Sequence, residues 1–417
     1  MRISTNLIYR RGVQPINDHL SKLVKVQEQI SSGRKILKPA DDPTNSARLM
    51  ELHKQVQLNE QYGRNITIAN GRLGVAESAV QESGNILQQA RVLTINANNA
   101  ALTSENRQVI ALEVRQLRQQ LQDLANAKDS EGAFLFAGFK EQTQPFANAP
   151  NGGVIYNGDQ GQRLLQVGPS RQVAVGDAGN EVFMSIRNGN GQFRTDLDSN
   201  NTGNGTITVG SVTNPTVFQN DFIGGNHPYS LRFAVDTTDP FNPVTTYEIR
   251  DSTDNLIDPP GAAQPYTAGE TIAFNGVEIA VEGKPADGDR FTVRPAENQS
   301  LFETLDNLIQ ALGLPDKTAA DVARLTQALD NALTDLDQGL LNLNQVRGRI
   351  GSRMNALDAQ DEVNRNFNLQ LQKLQSDIGA VDYAEAASRL NQELLALQAS
   401  QQSFVKIQNL SLFNYLR

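Results

Sequence analysis

From Ile66 the chain places Ile66, Ala69, Leu73, Ala76, Val80, Ser83, Leu87 and Ala90 at alternating steps of three and four. That spacing averages 3.5 residues and keeps one seam turned toward a partner helix. Asp42 supplies a carboxylate for an N-cap, and Pro43 suits the first helical position. The pattern therefore predicts a helix from Pro43 to about Ala101, roughly 90 Å long at ~1.5 Å per residue. A second helix starts near Thr103 or Ser104, both capping residues. It carries Ile110, Val114, Leu117, Leu121 and Leu124 until Gly132 ends the pattern.

The C-terminal arm repeats the design. Leu329, Leu333, Leu336, Leu340 and Leu343 form one seam, continued by Ile350, Met354 and Leu357 with Arg347 interrupting it. Phe367, Leu371, Leu374, Ile378 and Val381 form the next. Helices this thin in apolar residues do not bury their stripes alone, so the two arms are expected to pack together as an elongated antiparallel bundle.

The extreme ends form a third zone. Ile16, Leu23 and Ile30 recur every seven residues with Leu20 between them. Leu390, Leu397 and Phe404 also recur every seven, with Leu394 and Ile407 beside them. Two short amphipathic helices from opposite termini could pair, but their joint core is too small for an independent domain in water. These nine residues are therefore read as an assembly interface that is loose in the monomer and orders on association.

The middle of the chain changes character. Thirteen of the 16 prolines lie between Pro145 and Pro315, and 19 of the 32 glycines lie between residues 145 and 295. Short alternating or β-branched runs occur at 154–156, 229–235, 244–249, 271–274, 277–281 and 291–293. Turn clusters separate them, including the pairs Asn157-Gly158 and Asn275-Gly276. The fold class expected is α+β: a coiled-coil-like helical bundle of paired N- and C-terminal arms with an inserted antiparallel β domain. Three zones result: 1–42 with 381–417 for assembly, 43–144 with 300–380 for the bundle, and 145–299 for the insert. The insert reads equally as one domain or as two divided near 195–205.

Charge follows the same division. Residues 1–50 hold nine Lys/Arg against four Asp/Glu, while residues 145–295 hold nine against 17. An acidic middle is a solvated domain, and a mildly basic start is a tail or interaction surface. The net charge of −9 argues against nucleic-acid binding. Cysteine is absent, which removes disulfides, thiolate metal sites and cysteine nucleophiles. Tryptophan is absent too, and His19, His53 and His227 are too scattered for a metal or acid–base constellation. No stretch approaches the ~20 apolar residues that span a bilayer. Residues 1–12 hold three arginines but no apolar run, so they do not read as a cleavable secretory signal. On these grounds alone the chain would be cytosolic.

No phosphate-binding glycine loop or H-E-x-x-H pair occurs. Asp41-Asp42 is the most tempting carboxylate pair, but adjacent residues diverge and Asp42 is needed as a cap. Gly33-Arg34-Lys35 reads either as a contact for an acidic partner or as a solvated turn. Nothing here builds a catalytic, cofactor or metal site, so no enzyme is expected.

Several motifs carry a resemblance. Ile30-Ser31-Ser32-Gly33-Arg34-Lys35-Ile36 followed by Asp41-Asp42-Pro43 resembles the N-terminal signature of bacterial flagellin and its relatives. The C-terminal run from Leu410 to Arg417 resembles the end of the same superfamily. Gly132-Ala133-Phe134-Leu135-Phe136-Ala137-Gly138, with Pro145-Phe146, is similar to the branch of the hook–filament junction, hook-associated protein 3. Tyr156-Asn157-Gly158-Asp159-Gln160-Gly161 points to the same branch, and so does the opening Met1-Arg2-Ile3-Ser4-Thr5. The match covers about 1–165 and 300–417 and is weak between.

The resemblance implies an extracellular structural protein of the flagellum, exported by the flagellar type III apparatus without a cleaved signal. It implies terminal helices paired in an inner tube and a β domain projecting outward. The implied partners are copies of the same chain, hook-associated protein 1, flagellin and an export chaperone. The rival readings are a flagellin-type filament subunit, against which the 134–138 motif argues, and a secreted adhesin or glycan-acting protein.

Overall fold

The structure, a computed structural model, describes residues 5–99, 101–150, 152–238, 243–258 and 263–409. The Met1–Ser4 start and the Leu410–Arg417 run, two of the resembling motifs, lie outside the described residues. Seven α-helices and two short π-helical turns (Asn180–Met184 and Phe218–Ile223) occur among the described residues; the α-helices are α1 (Thr5–Ser32), α2 (Pro43–Ala97), α3 (Ser104–Ala125), α4 (Pro215–Val217), α5 (Leu301–Leu312), α6 (Ala319–Gly379) and α7 (Tyr383–Asn409). The helical arms and the central antiparallel sheets make the chain α+β, as the patterning predicts.

The chain packs as two units. One holds residues 5–66, 167–170 and 358–409, and is called the terminal unit below; the larger one holds 67–166 and 171–357. Helices α2 and α6 each contribute residues to both.

In the larger unit most of the heptad seam is consumed, with Leu333, Leu340 and Met354 half-buried. Ala69, Leu73, Ala76, Val80, Ser83, Leu87 and Ala90 on α2 are all buried, as are Leu329, Leu336, Leu343, Ile350 and Leu357 on α6. The α6 residues fall every seven positions. Leu73 and Leu87 are wholly inaccessible, and burial of a side chain of that size stabilises by ~1.5–3 kcal/mol. The two helices run antiparallel here: Arg347 pairs with Glu77 at 2.9 Å and Arg91 with Asp337 at 2.7 Å. Gly339 lets them close in, since a Cβ there would meet Leu301 and Leu87. Helix α3 packs on α5.

Helix boundaries depart slightly from the sequence expectation. Helix α2 ends at Ala97 instead of near 101, and α3 ends at Ala125, well before Gly132. Asn126 explains the second difference. Its side chain donates to the Phe146 carbonyl (2.9 Å) and accepts from the Phe146 amide (2.9 Å), binding the chain after the helix instead of continuing it. Thr103 caps α3, its hydroxyl accepting from the Asn106 amide at 3.3 Å.

All described strand pairings with a resolved register are antiparallel. The main sheet runs in the order Leu256–Asp258, Val244–Arg250, Tyr229–Asp236, Arg290–Pro295, Phe193–Leu197, with Gln264–Pro265 also on Val244–Arg250. A second sheet places Val277–Glu282 between Thr271–Phe274 and the short strands at Thr206–Ile207 and Ser211–Val212. Asn275 and Gly276 join Thr271–Phe274 to Val277–Glu282 with both φ angles positive, as a two-residue hairpin requires. Asn157-Gly158 makes no such hairpin. It follows strand Val154–Tyr156, and the missing side chain at Gly158 leaves room for the Tyr156 ring.

Residues from both sheets share one buried core that includes Phe193, Phe222, Tyr229, Leu231, Phe291 and Val293. The point expected to divide the insert, 195–205, lies inside the stretch that this core draws together. Phe193 opposes Pro295 in register, so the stretch begins and ends side by side within the larger unit. A separate aromatic group, Phe136, Phe146, Phe183 and Phe302, seals the region before it, with edge-to-face and tilted rings 5.2–5.4 Å apart.

Candidate assembly interface

Helices α1 and α7 pack against each other within the terminal unit, antiparallel. Tyr9 meets Phe404 edge-to-face at 5.4 Å between ring centres, and His19 Nδ1 lies 2.7 Å from Glu393 Oε2. Gly12 is required where it stands, because a Cβ there would overlap the Phe404 ring. Of the nine residues read as an interface, Ile16, Leu23, Ile30, Leu390, Leu397 and Phe404 are half-buried, whereas Leu20, Leu394 and Ile407 are exposed. Val26 and Ala386, which lie off the heptad positions named above, are buried hydrophobic residues of this pair. Leu395, at 67% exposure, Val24 and Val405 add apolar surface outside the seam. Two helices share one seam and still leave large side chains in water, more than an isolated pair gains by exposing.

The Gly33-Arg34-Lys35 turn has a use that neither sequence reading named. Gly33 ends α1 with φ +68°, the left-handed position glycine tolerates. The Val381 amide donates to the Gly33 carbonyl at 3.0 Å, and the Lys35 amide donates to the Gly379 carbonyl at 2.8 Å. Arg34 and Ala380 thus form an isolated antiparallel bridge. The turn after α1 is stapled to the break between α6 and α7 by main-chain bonds.

The acidic pair next to it divides two tasks. Asp41 accepts from Lys25 Nζ at 2.6 Å and from the Leu37 and Lys38 amides, folding the connection back onto α1. The Lys25 bond, with the Lys38 amide, holds its carboxyl below the ordinary value. Asp42 caps α2, accepting from the Asn45 amide at 3.0 Å, and that bond with the Asn45 side chain lowers its carboxyl too. Neither is placed for acid–base chemistry. His53 rests on the Leu49 carbonyl of its own helix, and His227 is exposed. Among the described residues no cluster of His, Asp and Glu is arranged to hold a metal ion, and no helix is long and apolar enough to cross a membrane.

A second interface escaped the sequence reading because it is polar. One face of α6 carries Arg324, Gln327, Asn331, Asp335, Asn342 and Arg353, at helical spacing beside the apolar heptads. Gln327 accepts from the Ile207 amide at 2.8 Å, and Asn331 donates to Thr195 O and Asp196. Asp335, almost wholly buried, accepts from the Gly189 amide (2.8 Å), Arg194 Nη1 (2.9 Å) and Gln299 Nε2 (3.0 Å). Burial opposes the Arg194 charge, but Asp335 and Asp196 outweigh it and hold the guanidinium above its ordinary value. Arg353 grips buried Asp177 with two bonds of 2.8 and 2.9 Å. In sequence such a stripe reads as a solvated face; only the structure shows what covers it.

The two junction-like motifs fold onto each other. Asp159 Oδ1 accepts from the Phe139 and Gly161 amides at 2.9 and 2.8 Å, and those bonds lower its carboxyl. The Tyr156 hydroxyl donates to Phe136 O and Asp159 O. Gly138 (φ +70°) has to lack a side chain, since a Cβ would overlap Asp159.

The chain is similar to known flagellar proteins along its length. The family described as bacterial flagellin N-terminal helical region matches residues 3–141, and that of the C-terminal helical region matches 326–416. Flagellar hook-associated protein 3 of Escherichia coli K12 is 25% identical over 414 residues, 99% of this chain and 99% of that one. The crystal structure of the flagellar junction protein FlgL from Legionella pneumophila superposes with a TM-score of 0.71 at 30% identity, covering 81% of this chain and all of the other. FlgL of Xanthomonas campestris gives 0.68 at 29% identity, with 78% and 99% covered.

Proposed function

The chain belongs to the flagellar hook-associated protein 3 family, and we propose that it works as the adaptor that meets hook-associated protein 1 on its hook side and flagellin on its filament side. Membership makes it a structural, flagellin-like component of the bacterial flagellum at the junction of hook and filament. The observation that carries the reading is the 99% mutual coverage with an established hook-associated protein 3.

In this proposal residues 1–42 and 381–417 form the assembly domain, 43–144 and 300–380 the surrounding helical wall, and 145–299 the outer domain. Ile16, Leu20, Leu23, Ile30, Leu390, Leu394, Leu397, Phe404 and Ile407 contact neighbouring copies in a ring. The uncovered apolar side chains of α1 and α7 support that assignment, because association removes them from water. The chain reaches the cell exterior through the flagellar type III apparatus, escorted by an export chaperone. Its work is mechanical, without a catalytic step or a cofactor.

Electron microscopy of the purified full chain in precipitating salt, which strengthens apolar burial, tests the reading. Hook fragments capped with hook-associated protein 1 should acquire short density at one end, and the protein alone should form no long filaments. Long filaments from the protein alone would make it a filament subunit, and no assembly in either condition would remove the junction role.

A further inference from the structure

On the face of the main sheet turned away from its core, the register sets two like charges against each other. Leu231, Phe233, Phe291 and Val293 point into the core, so Arg232 and Arg290 between them point out. The two arginines lie directly opposite each other on neighbouring strands, Tyr229–Asp236 and Arg290–Pro295. Like charges so placed repel. The nearby acids are occupied with other donors. Glu248, opposite Arg232 on the other side, accepts from Arg250 with both oxygens, at 2.6 and 3.0 Å. Asp287 accepts from the Val235 amide at 3.1 Å. Asp198, whose amide donates to the Arg290 carbonyl, accepts through its side chain from the Asn200 amide and Nδ2. Asp254 pairs with Arg232 at Nη2. The Arg232 Nε is still buried without a hydrogen-bond partner, and the exposed Arg290 side chain makes no ion pair among the described residues. Both arginines line one open cavity of about 320 Å³, together with Ala234, Thr246 and Gly288.

We propose that this cavity binds an oxoanion, a sulfate, phosphate or carboxylate group, held between Arg232 and Arg290. An anion there turns one repulsion into two attractions and gives the stranded Nε an acceptor. Arginine suits the task because its planar fork meets two oxygens of such a group at once. The small residues around the pair leave both guanidinium groups within reach of solvent. Residues 145–295 are acidic as a whole, with nine Lys/Arg against 17 Asp/Glu. Long-range attraction therefore does not draw the anion in, and recognition rests on the two forks at contact. The cavity is of the size that takes a small organic ligand, so the group arrives either free or as the acidic substituent of a sugar-sized molecule.

The arginine Nε–H signals of the full-length protein, labelled at arginine nitrogen, report binding directly, with Arg232→Gln and Arg290→Gln assigning the two that matter. At constant ionic strength, sodium sulfate replacing sodium chloride should move both signals along saturable curves with one midpoint. Each Gln variant should abolish saturation at the remaining arginine, and Arg290→Lys, which keeps the charge and loses the fork, should weaken it several-fold. Linear drift, or shifts no larger than those of other surface arginines, would overturn the proposal. Sodium glucuronate and neutral glucose then separate the sources. A glucuronate midpoint several-fold below that of sulfate, with glucose silent, assigns the anion to an acidic saccharide, and equal midpoints assign a free oxoanion. A response to glucose as strong as that to glucuronate would overturn the proposal, since the acid group would not be what is recognised. The free protein gives an independent check. In sulfate-free buffer Arg290→Gln should leave the urea midpoint unchanged or raise it, because it removes a repulsion. A lower midpoint would show Arg290 already satisfied within the fold and would overturn the proposal as well. None of these readouts depends on flagellar assembly, so this inference and the junction reading can fail separately.

Discussion

The same two helices, α2 and α6, run through a region that closes on itself and a region that does not. In the larger unit the α2 seam from Ala69 to Ala90 and every seventh α6 residue from Leu329 to Leu357 are buried, and the polar stripe beside them is covered by the β strands it clamps. In the terminal unit the seam is half covered, an asparagine pair interrupts it, and Leu20, Leu394, Leu395 and Ile407 face water. An apolar stripe is core only where the chain supplies enough partners to finish it; otherwise part of it stays in water. The contrast also separates two kinds of specificity. Buried charge orients the β region in the larger unit, while main-chain bonds at Gly33 and Val381 tie the helices of the other.

Breaking the unfinished seam should have the largest effect. Leu397→Asp with Phe404→Asp places two charges among Tyr9 and the half-buried seam of α1. Incorporation into the flagellum should be lost, while the larger unit keeps its denaturant midpoint. Normal motility and filament attachment in the double variant would show that the terminal seam is not the assembly surface.

The finished region should break differently. Asp335→Ala removes one of the two carboxylates that pair Arg194 and leaves the Gly189 amide without its acceptor. An unmade buried hydrogen bond of this kind costs ~1–3 kcal/mol, to be read from urea unfolding. The loss should appear in the larger unit and leave the cross-contact of α1 with α7 intact. A change below about 1 kcal/mol would mean that water replaces the carboxylate at little cost. A smaller effect is expected at Ser300, which caps α5 by accepting from the Glu303 amide at 3.0 Å. Ser300→Ala should destabilise by about 1 kcal/mol in the same experiment.

The sequence made half of this contrast legible. Apolar periodicity is a local signal, so the seams from Ile66 to Ala90 and from Leu329 to Leu357 were readable without coordinates, and so was the hairpin at Asn275-Gly276. Asp42 announced its capping role through Pro43. Features that depend on what arrives from far along the chain stayed hidden. Gln327, Asn331 and Asp335 look like a solvated face until strands from residues 193–207 cover them. Asn59 and Asn364 look like lapses in a heptad until they are found opposite each other, 305 positions apart. The end of α3 was misread because Gly132 is the stronger local stop signal, whereas the pairing of Asn126 with Phe146 is what ends the helix.

Acid should have the smallest effect, and it asks whether the ties of the two regions are equally local. Asp41, in the terminal unit, is held below the ordinary value by Lys25, and the Asp42 cap by Asn45. Asp251, in the larger unit, is lowered to about 2: burial raises it, but bonds from Thr253, Asn255 and Asn226 outweigh that. A depressed carboxyl contributes stability that is present above the ordinary aspartate value near 3.9 and lost as pH falls through the folded value. Nothing should therefore change between pH 5 and 8 at these corners. Carboxyl carbon shifts should place the Asp251 midpoint at about 2, with Asp41 and Asp42 also below 3.9. Lys25→Met should raise the Asp41 midpoint toward its ordinary value, leave Asp251 unmoved, and weaken amide protection at Leu37 and Lys38 first at the acid end. An Asp41 midpoint indifferent to Lys25 would show that the fold of residues 33–42 rests on the bridge to Gly379 and Val381 alone, with the carboxylate following it instead of holding it.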